Sequence, residues 1–142
     1  MICRAATPDD ARDVWEWRND PLTRAMSRNS DEVAWAGHEA WFLRTLADPA
    51  TTLLIGEVGG EKVGMVRFDH GPETEVSINV NPACRGRGYG LALLQAGIAQ
   101  VGGEIFAEIK DDNLASRRMF ERAGFQFVVA LEGRGRYRRP AD

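Results

Sequence analysis

Apolar positions along the chain change period several times, and each change marks an element boundary. Residues 51–58 and 62–69 are strand-like runs on either side of Gly59-Gly60, which predicts an antiparallel hairpin. Residues 73–80 alternate cleanly, with Val76, Ile78 and Val80 on one face and Glu75, Ser77 and Asn79 on the other; this is a third strand, ended by Asn81-Pro82. Elsewhere the spacing becomes three and four. Ala34, Trp35, His38, Trp41, Phe42 and Leu46 predict an aromatic-faced helix that starts near Asn29 or Ser30 and stops at Asp48-Pro49. Leu91, Leu94, Ile98 and Val101 predict another over residues 88–100.

Capping signals place the remaining helices. Thr7, Pro8 and Asp10 supply a cap, a first-turn proline and a capping-box acid for a helix through Val14 and Trp15 to about Arg18, which Asn19-Asp20-Pro21 ends. Asn113 caps a helix through Ala115, Met119 and Ala123; Gly124 terminates it, with Phe125 placed for the hydrophobic contact of a Schellman-type end. Strands at 2–5 and 104–109, an alternating run of Phe125, Phe127, Val129 and Leu131, and a last edge strand near Tyr137 complete the order βααβββαβαββ. Hairpins in the first half and strand-helix-strand units in the second predict an α/β (α+β) fold, a mixed sheet with helices on both faces.

Composition narrows the class. A chain of 142 residues fits one domain, and 44% hydrophobic with 27% charged residues excludes wholesale disorder and fibrous architecture. The short apolar runs predict no membrane span and no secretory signal, so the expectation is a cytoplasmic protein without a membrane partner. The 18 basic against 21 acidic residues give a net charge of -3, the wrong sign for a nucleic-acid binder. Cys3 and Cys84 are expected to be free thiols, and two Cys and two His at no ligand spacing predict no metal. The arginines are nevertheless clustered, at Arg85 and Arg87, at Arg117 and Arg118, and from Arg134 to Arg139, which leaves a local anion site open.

Residues 81–90 are the most informative segment. Gly86, Gly88 and Gly90 let backbone approach a ligand and adopt left-handed dihedrals, while the helix start behind them presents unpaired N–H groups and the positive end of a dipole. Arg85 and Arg87 add charge-assisted donors suited to a pyrophosphate. The structural alternative is a glycine-rich connector with solvated arginines. Leu91 stands where a dinucleotide fingerprint needs its third glycine, and no Lys-Ser or Lys-Thr follows as in a Walker loop.

Arg85-Gly86-Arg87-Gly88-Tyr89-Gly90 resembles the R/Q-x-x-G-x-G/A signature of the GNAT superfamily of acetyl-CoA-dependent N-acetyltransferases. Asn113-Leu114-Ala115-Ser116, followed by Met119-Phe120-Glu121-Arg122-Ala123-Gly124-Phe125, resembles the N-x-x-S/A…Y-e-x-x-G-F stretch of the same superfamily. In the first half, Trp17-Arg18-Asn19-Asp20 and His38-Glu39-Ala40-Trp41-Phe42 resemble a subgroup that includes amino-sugar-nucleotide acetyltransferases of pseudaminic-acid-type pathways and, more distantly, RimJ/RimL-type protein N-terminal acetyltransferases. The resemblance implies a mostly antiparallel sheet with a V-shaped splay and acetyl-CoA as co-substrate. It implies that backbone amides of Arg85, Gly86, Arg87, Gly88, Tyr89 and Gly90 hold the pyrophosphate and that the strand at Ile78, Asn79 and Val80 pairs with the pantetheine arm. Asn113 and Ser116 face that arm by the same carry-over, with an ordinary helix cap as their structural alternative. One departure stands out: Phe120 occupies the place of a tyrosine that can protonate the departing thiolate.

Acetyl transfer needs a neutral amine, so a general base is required. Glu75, on the polar face of the strand leading to the glycine loop, is the leading candidate, and Glu108 on the next strand the second. A backbone N–H near Asn79 or Val80 would stabilise the oxyanion. Arg18, Asn19 and Arg24, after the first helix, and His38, on the aromatic helix face, are candidates for the acceptor wall; solvated loop residues and a packed histidine are the bland alternatives. The leading acceptor expectation is a small polar amine such as a nucleotide-linked amino sugar. A peptide α-amine is the alternative, and it predicts an open groove between the 19–28 segment and the terminal strands. A non-catalytic acyl-CoA-binding domain is a third reading, and the Arg-rich final strands are a candidate homodimer contact.

Overall fold

The computed structural model describes residues 1–27 and 29–142. Strand β1 (Ile2–Ala5) leads through a 3₁₀ turn into α1 (Ala11–Arg18), and the expected capping box forms, the Asp10 carboxylate accepting from the Thr7 N–H at 2.8 Å. The same carboxylate, fully buried, accepts from Arg4 at 2.8 and 2.9 Å and from Lys62 at 2.8 Å. Burial pushes the Asp10 carboxyl upward, but these donors outweigh it and hold the group well below the ordinary carboxylate range.

Asn19-Asp20-Pro21 ends α1 as expected and, unexpectedly, starts a further helix, α2 (Pro21–Met26). The Asp20 carboxylate caps it by accepting from the Thr23 N–H at 3.1 Å, and Pro21 at the first position has no N–H that needed a partner. The aromatic helix, α3 (Trp35–Ala47), starts later than Asn29 or Ser30. Tertiary bonds explain the delay. Asn19 donates to the Val33 carbonyl and accepts from the Val33 N–H, both at 2.8 Å, and the Trp15 indole donates to the same carbonyl at 2.8 Å. Backbone groups a helix would have used are thereby taken.

The other elements fall close to expectation: β2 (Thr51–Val58), β3 (Glu61–Asp69), β4 (Thr74–Val80), α4 (Tyr89–Val101), β5 (Ile105–Lys110), α5 (Leu114–Arg122), β6 (Gln126–Leu131) and β7 (Arg134–Arg139). The strands form one sheet in the order β1-β2-β3-β4-β5-β7-β6, antiparallel except between β4 and β5. On one face Leu93, Leu94 and Ile98 of α4 and Phe120 of α5 pack on Val66, Phe68, Val76 and Ile109. On the other, Val14 and Trp17 of α1 and Phe42 of α3 pack on Leu53, Ile55 and Met65. This is the mixed, mostly antiparallel sheet with helices on both faces that the pattern predicted.

The final strand is a correction. β7 is not an edge; it inserts between β5 and β6. Tyr137 is 4% exposed in the α4–α5 core, while Arg134, Arg136 and Arg138 on the opposite face pair with Glu108, Glu73 and Glu104. Its alternation thus places a buried tyrosine between paired arginines, which suits an internal strand. β6 becomes the edge and leaves Phe127, Val128 and Val129 exposed.

Candidate active site

The parallel pairing between β4 and β5 consists of Thr74 with Ile105 and Glu75 with Phe106, and ends there. β4 keeps its ladder with β3 as far as Val80 opposite Gly64, so from Val76 onward its other edge borders a gap rather than a strand. This is the expected V-shaped splay. It opens into a cleft of about 1760 Å³ lined by the outer half of β4, the glycine loop, α5, α2 and the polar face of the sheet.

At the top of β4 the Asn81 carboxamide accepts from the Ala83 N–H at 3.0 Å and donates to the Lys62 carbonyl at 2.9 Å, fixing the chain's exit from the sheet. Gly86 and Gly88 take φ of 77° and 76°, a left-handed region that disfavours side chains. Gly88 caps α4 without a side-chain bond, so the helix start offers its first N–H groups to the cleft, where Gly86, Gly88, Tyr89 and Gly90 form the wall. A Cβ at Gly90 would lie 2.9 Å from the Sδ of the flexible Met119 side chain, which would have to shift.

The two arginines of this loop behave differently from the expectation. Arg85 lines the cleft, but its guanidinium donates to the Asp20 carboxylate and, at 2.9 Å, to the Thr23 hydroxyl, tying α2 to the loop. Arg87 lies outside the cleft lining, 3.8 Å from Glu61, both exposed. Across the cleft, Asn113 and Ser116 both line the wall, and the Asn113 side chain accepts from the Ser116 N–H at 3.2 Å, an ordinary helix cap. Phe120 lines the same wall and carries no ionisable hydrogen.

On the polar face of the sheet Glu75 and Glu108 approach each other through Arg136, 3.9 Å from Glu75 and 3.5 Å from Glu108, and Arg134 donates to Glu108 at 2.5 Å. Ile78, Asn79 and Val80 border the gap. Arg18 lines the cleft beside Trp41, its Cζ 4.6 Å from the ring centre.

Three acceptor-wall candidates do not reach the cleft. Asn19 is the brace on Val33 described above. Arg24 lies outside the lining, with its Nε buried and without a hydrogen-bond partner. His38 is fully buried, with ring centres of Trp35, Trp41 and Phe42 at 5.9, 5.7 and 5.7 Å. Its Nε2 is 2.8 Å from the Ala11 carbonyl, which only accepts, and its Nδ1 is 3.0 Å from an Arg18 Nη1, which only donates. The ring is therefore the neutral Nε2–H tautomer, and burial pushes its pKa below the ordinary histidine value, as does the Arg18 charge, although the bond to Ala11 works the other way. Sequence reasoning missed Arg67, Lys110 and the α2 wall. Arg67 and Lys110 sit at unremarkable strand positions, and only the Asp20-Pro21 pair signalled α2. Among the described residues no group of three or more His, Cys, Asp or Glu is placed to hold a metal. Among the described residues no helix is long and apolar enough to cross a membrane.

Residues 11–125, which include the glycine loop, the splayed strand and α5, match the model of the Acetyltransferase (GNAT) family. The chain belongs to this family. The GNAT chain is 34% identical over 121 residues to the N-alpha-acetyltransferase RimI of Mycobacterium tuberculosis, an alignment covering 75% of this chain and 77% of that one. Among solved structures it resembles the ribosomal-protein-alanine N-acetyltransferase of Brucella melitensis, with TM-score 0.81, 22% identity and 99% of both chains covered. It also resembles yncA of Salmonella typhimurium, a putative acetyltransferase solved with acetyl-CoA, with TM-score 0.82, 23% identity and 100% and 94% covered. The GNAT chain is thus an acyltransferase, an N-acetyltransferase that uses acetyl-CoA.

Proposed function

We propose that this GNAT chain, acting as one domain over residues 1–142, acetylates the α-amine of a peptide or protein. The observation that carries this reading is the shape of the acceptor side. The cleft runs between Leu22, Met26 and the 29–33 segment on one side and the β6–β7 turn at Glu132, Gly133 and Arg134 on the other. A cleft with these two walls suits an extended acceptor; Arg28, which ends the segment expected to border such a groove, lies outside the described residues. Similarity to an N-alpha-acetyltransferase supports the same reading.

Acetyl-CoA supplies the thioester. Its pyrophosphate would rest on the backbone amides of residues 85–90 at the uncapped start of α4, and its pantetheine arm along the free edge of Ile78, Asn79 and Val80, with Asn113 and Ser116 opposite. Glu75, at the last paired position before the splay, accepts the amine proton, directly or through one water. Glu108, tied to Arg134 and Arg136, shapes the field around it. An α-amine near pKa 7.7 to 8 is already partly neutral at about pH 7, so one half-buried carboxylate suffices. The amine nitrogen bonds to the acetyl carbon as the carbon–sulfur bond breaks, and the oxyanion meets a β4 N–H near Asn79 or Val80. Phe120 gives the sulfur no proton. A thiol of pKa about 8.5 leaves as the thiolate without one.

A nucleotide-linked amino sugar is the second reading, favoured by the cationic Arg18 in the cleft. The two are separated by following thiol release from acetyl-CoA with short peptides, free amino acids and 4-amino sugar nucleotides. The peptide reading expects turnover on peptides and an acetylated N-terminus by mass spectrometry; turnover on sugar nucleotides alone overturns it.

A further inference from the structure

Trp41, at the middle of α3, carries a guanidinium at two places on its ring. Arg18 lies 4.6 Å and Arg67 5.5 Å from the ring centre, and all three side chains line the cleft. Two like charges held against one aromatic in a half-buried site repel, and burial and the Arg67 charge both push the Arg18 guanidinium down from its ordinary value. The fold nonetheless keeps them together.

Most other cations around the sheet are balanced. Arg4 and Lys62 meet Asp10, Arg85 meets Asp20, and Arg134 and Arg136 meet Glu108, Glu75 and Glu73. Arg67 has Asp69 at 3.2 Å and the Ser77 hydroxyl at 3.4 Å. Arg18 differs. Its polar partner is the neutral His38, which holds the guanidinium in place without cancelling its charge, and among the described residues no carboxylate forms an ion pair with it. A positioned, half-buried and uncompensated guanidinium beside a second one is a receptor for an anion.

Its place relative to the base sets what that anion belongs to. Arg67 pairs with Ser77 across the β3–β4 ladder, and Ser77 is two residues beyond Glu75 on the same face. Same-face neighbours two residues apart are about 7 Å from one another, within the reach of one small molecule or of two consecutive residues.

We infer that Arg18 and Arg67, on the face of Trp41, bind an anionic group of the acceptor close to its reacting amine, and that His38 is the positioning residue for Arg18. The inference rests on the proposed acceptor only for the source of the anion. In a peptide it is an acidic side chain near the N-terminus; in a sugar nucleotide it is the diphosphate.

The test uses peptide pairs that differ by one amide, Ala-Asp against Ala-Asn and Ala-Glu against Ala-Gln at the N-terminus, with a 4-amino sugar nucleotide and its dephosphorylated amino sugar as a further pair. The expected result is an acid-over-amide preference of about tenfold or more in kcat/KM, carried by KM, because a hydrogen bond to a charged group contributes that much. The preference falls toward unity in Arg18→Gln and Arg67→Gln. It falls in His38→Phe and is regained in His38→Gln, whose amide can donate to Ala11 and accept from Arg18, a pattern that simple loss of folding does not produce. Peptides acetylated with no acid preference overturn the inference and leave the peptide reading standing. Turnover on the sugar nucleotide alone, sensitive to both arginines, does the reverse. Failure of every anionic amine, or equal loss on charged and neutral members of each pair, also overturns it.

Discussion

Phe120 stands edge-on to Phe125, ring centres 5.0 Å apart and planes at 84°, across the end of α5. The Gly124 N–H donates to the Glu121 carbonyl and the Phe125 N–H to the Phe120 carbonyl, both at 3.0 Å, with Gly124 at φ 96°. This is a Schellman end with its hydrophobic contact, so one phenylalanine both closes the helix and forms cleft wall. Phe120→Ala is expected to lower stability by about 3–5 kcal/mol by urea denaturation. Phe120→Tyr restores a phenol at this place. With thiolate departure unassisted, kcat should change by less than about threefold at neutral pH, and a rise of about tenfold or more would show that protonation limits the native enzyme.

Glu75 and Glu108 share Arg136, at 3.9 and 3.5 Å, and Arg134 also donates to Glu108 at 2.5 Å. Replacing Glu75 by Gln is expected to lower kcat/KM on the true acceptor by about 10² or more. Glu108→Gln should cost less. Steady-state kinetics on both variants, with acetyl-CoA affinity checked by calorimetry, orders the two roles; a larger loss at Glu108 would reverse them.

The left-handed backbone at Gly88 makes a separable prediction. Gly88→Ala imposes about 1–2 kcal/mol of strain at φ 76° on the cleft wall and should raise the Kd for acetyl-CoA. Gly59→Ala, at φ 58° in the β2–β3 hairpin, imposes comparable strain away from the cleft and should leave that affinity unchanged. Calorimetric titration of the two variants distinguishes a cofactor effect from general destabilisation.

His38 links stability to pH. Its folded pKa lies below the unfolded value near 6.5, so on acidification the unfolded chain takes up a proton that the folded chain refuses. The stability this contributes is present in full above about pH 6.5 and is lost as pH falls toward the folded pKa. Denaturation at about pH 7.5 and about pH 5.5 should show the loss in the native chain and a smaller one in His38→Gln. Asp10 acts in a different window, because its carboxyl is depressed from 3.8 and its contribution is lost only in stronger acid.

Removing the Asp10 carboxylate leaves Arg4 with Glu57 at 3.1 Å and Lys62 with Asp13 at 2.9 Å. Both basic side chains are about a third exposed, at 32% and 28%, and regain some hydration. Asp10→Ala is therefore expected to cost about 2–3 kcal/mol, less than the full penalty of an orphaned buried charge. A melt that shifts by less than a degree or two would show the cluster to be dispensable.

The sequence by itself determined most elements and the glycine loop, because their signals are local. Alternation marked β4, a capping box opened α1, and Asn113 and Gly124 bracketed α5 within a few residues of one another. The tertiary structure decided the rest, because it depends on partners far apart in the chain. Asn19 delays α3 only by bonding Val33. β7 is internal because its backbone pairs with both β5 and β6, with Glu108 of β5 beside Arg134 and Arg136. His38 leaves the acceptor wall because Ala11 and Arg18 claim both its nitrogens, and Arg67 enters it because β3 and β4 register it beside Ser77. Local spacing encodes the scaffold. Which charges are neutralised, and which are left to meet a substrate, is settled only when the sheet is assembled.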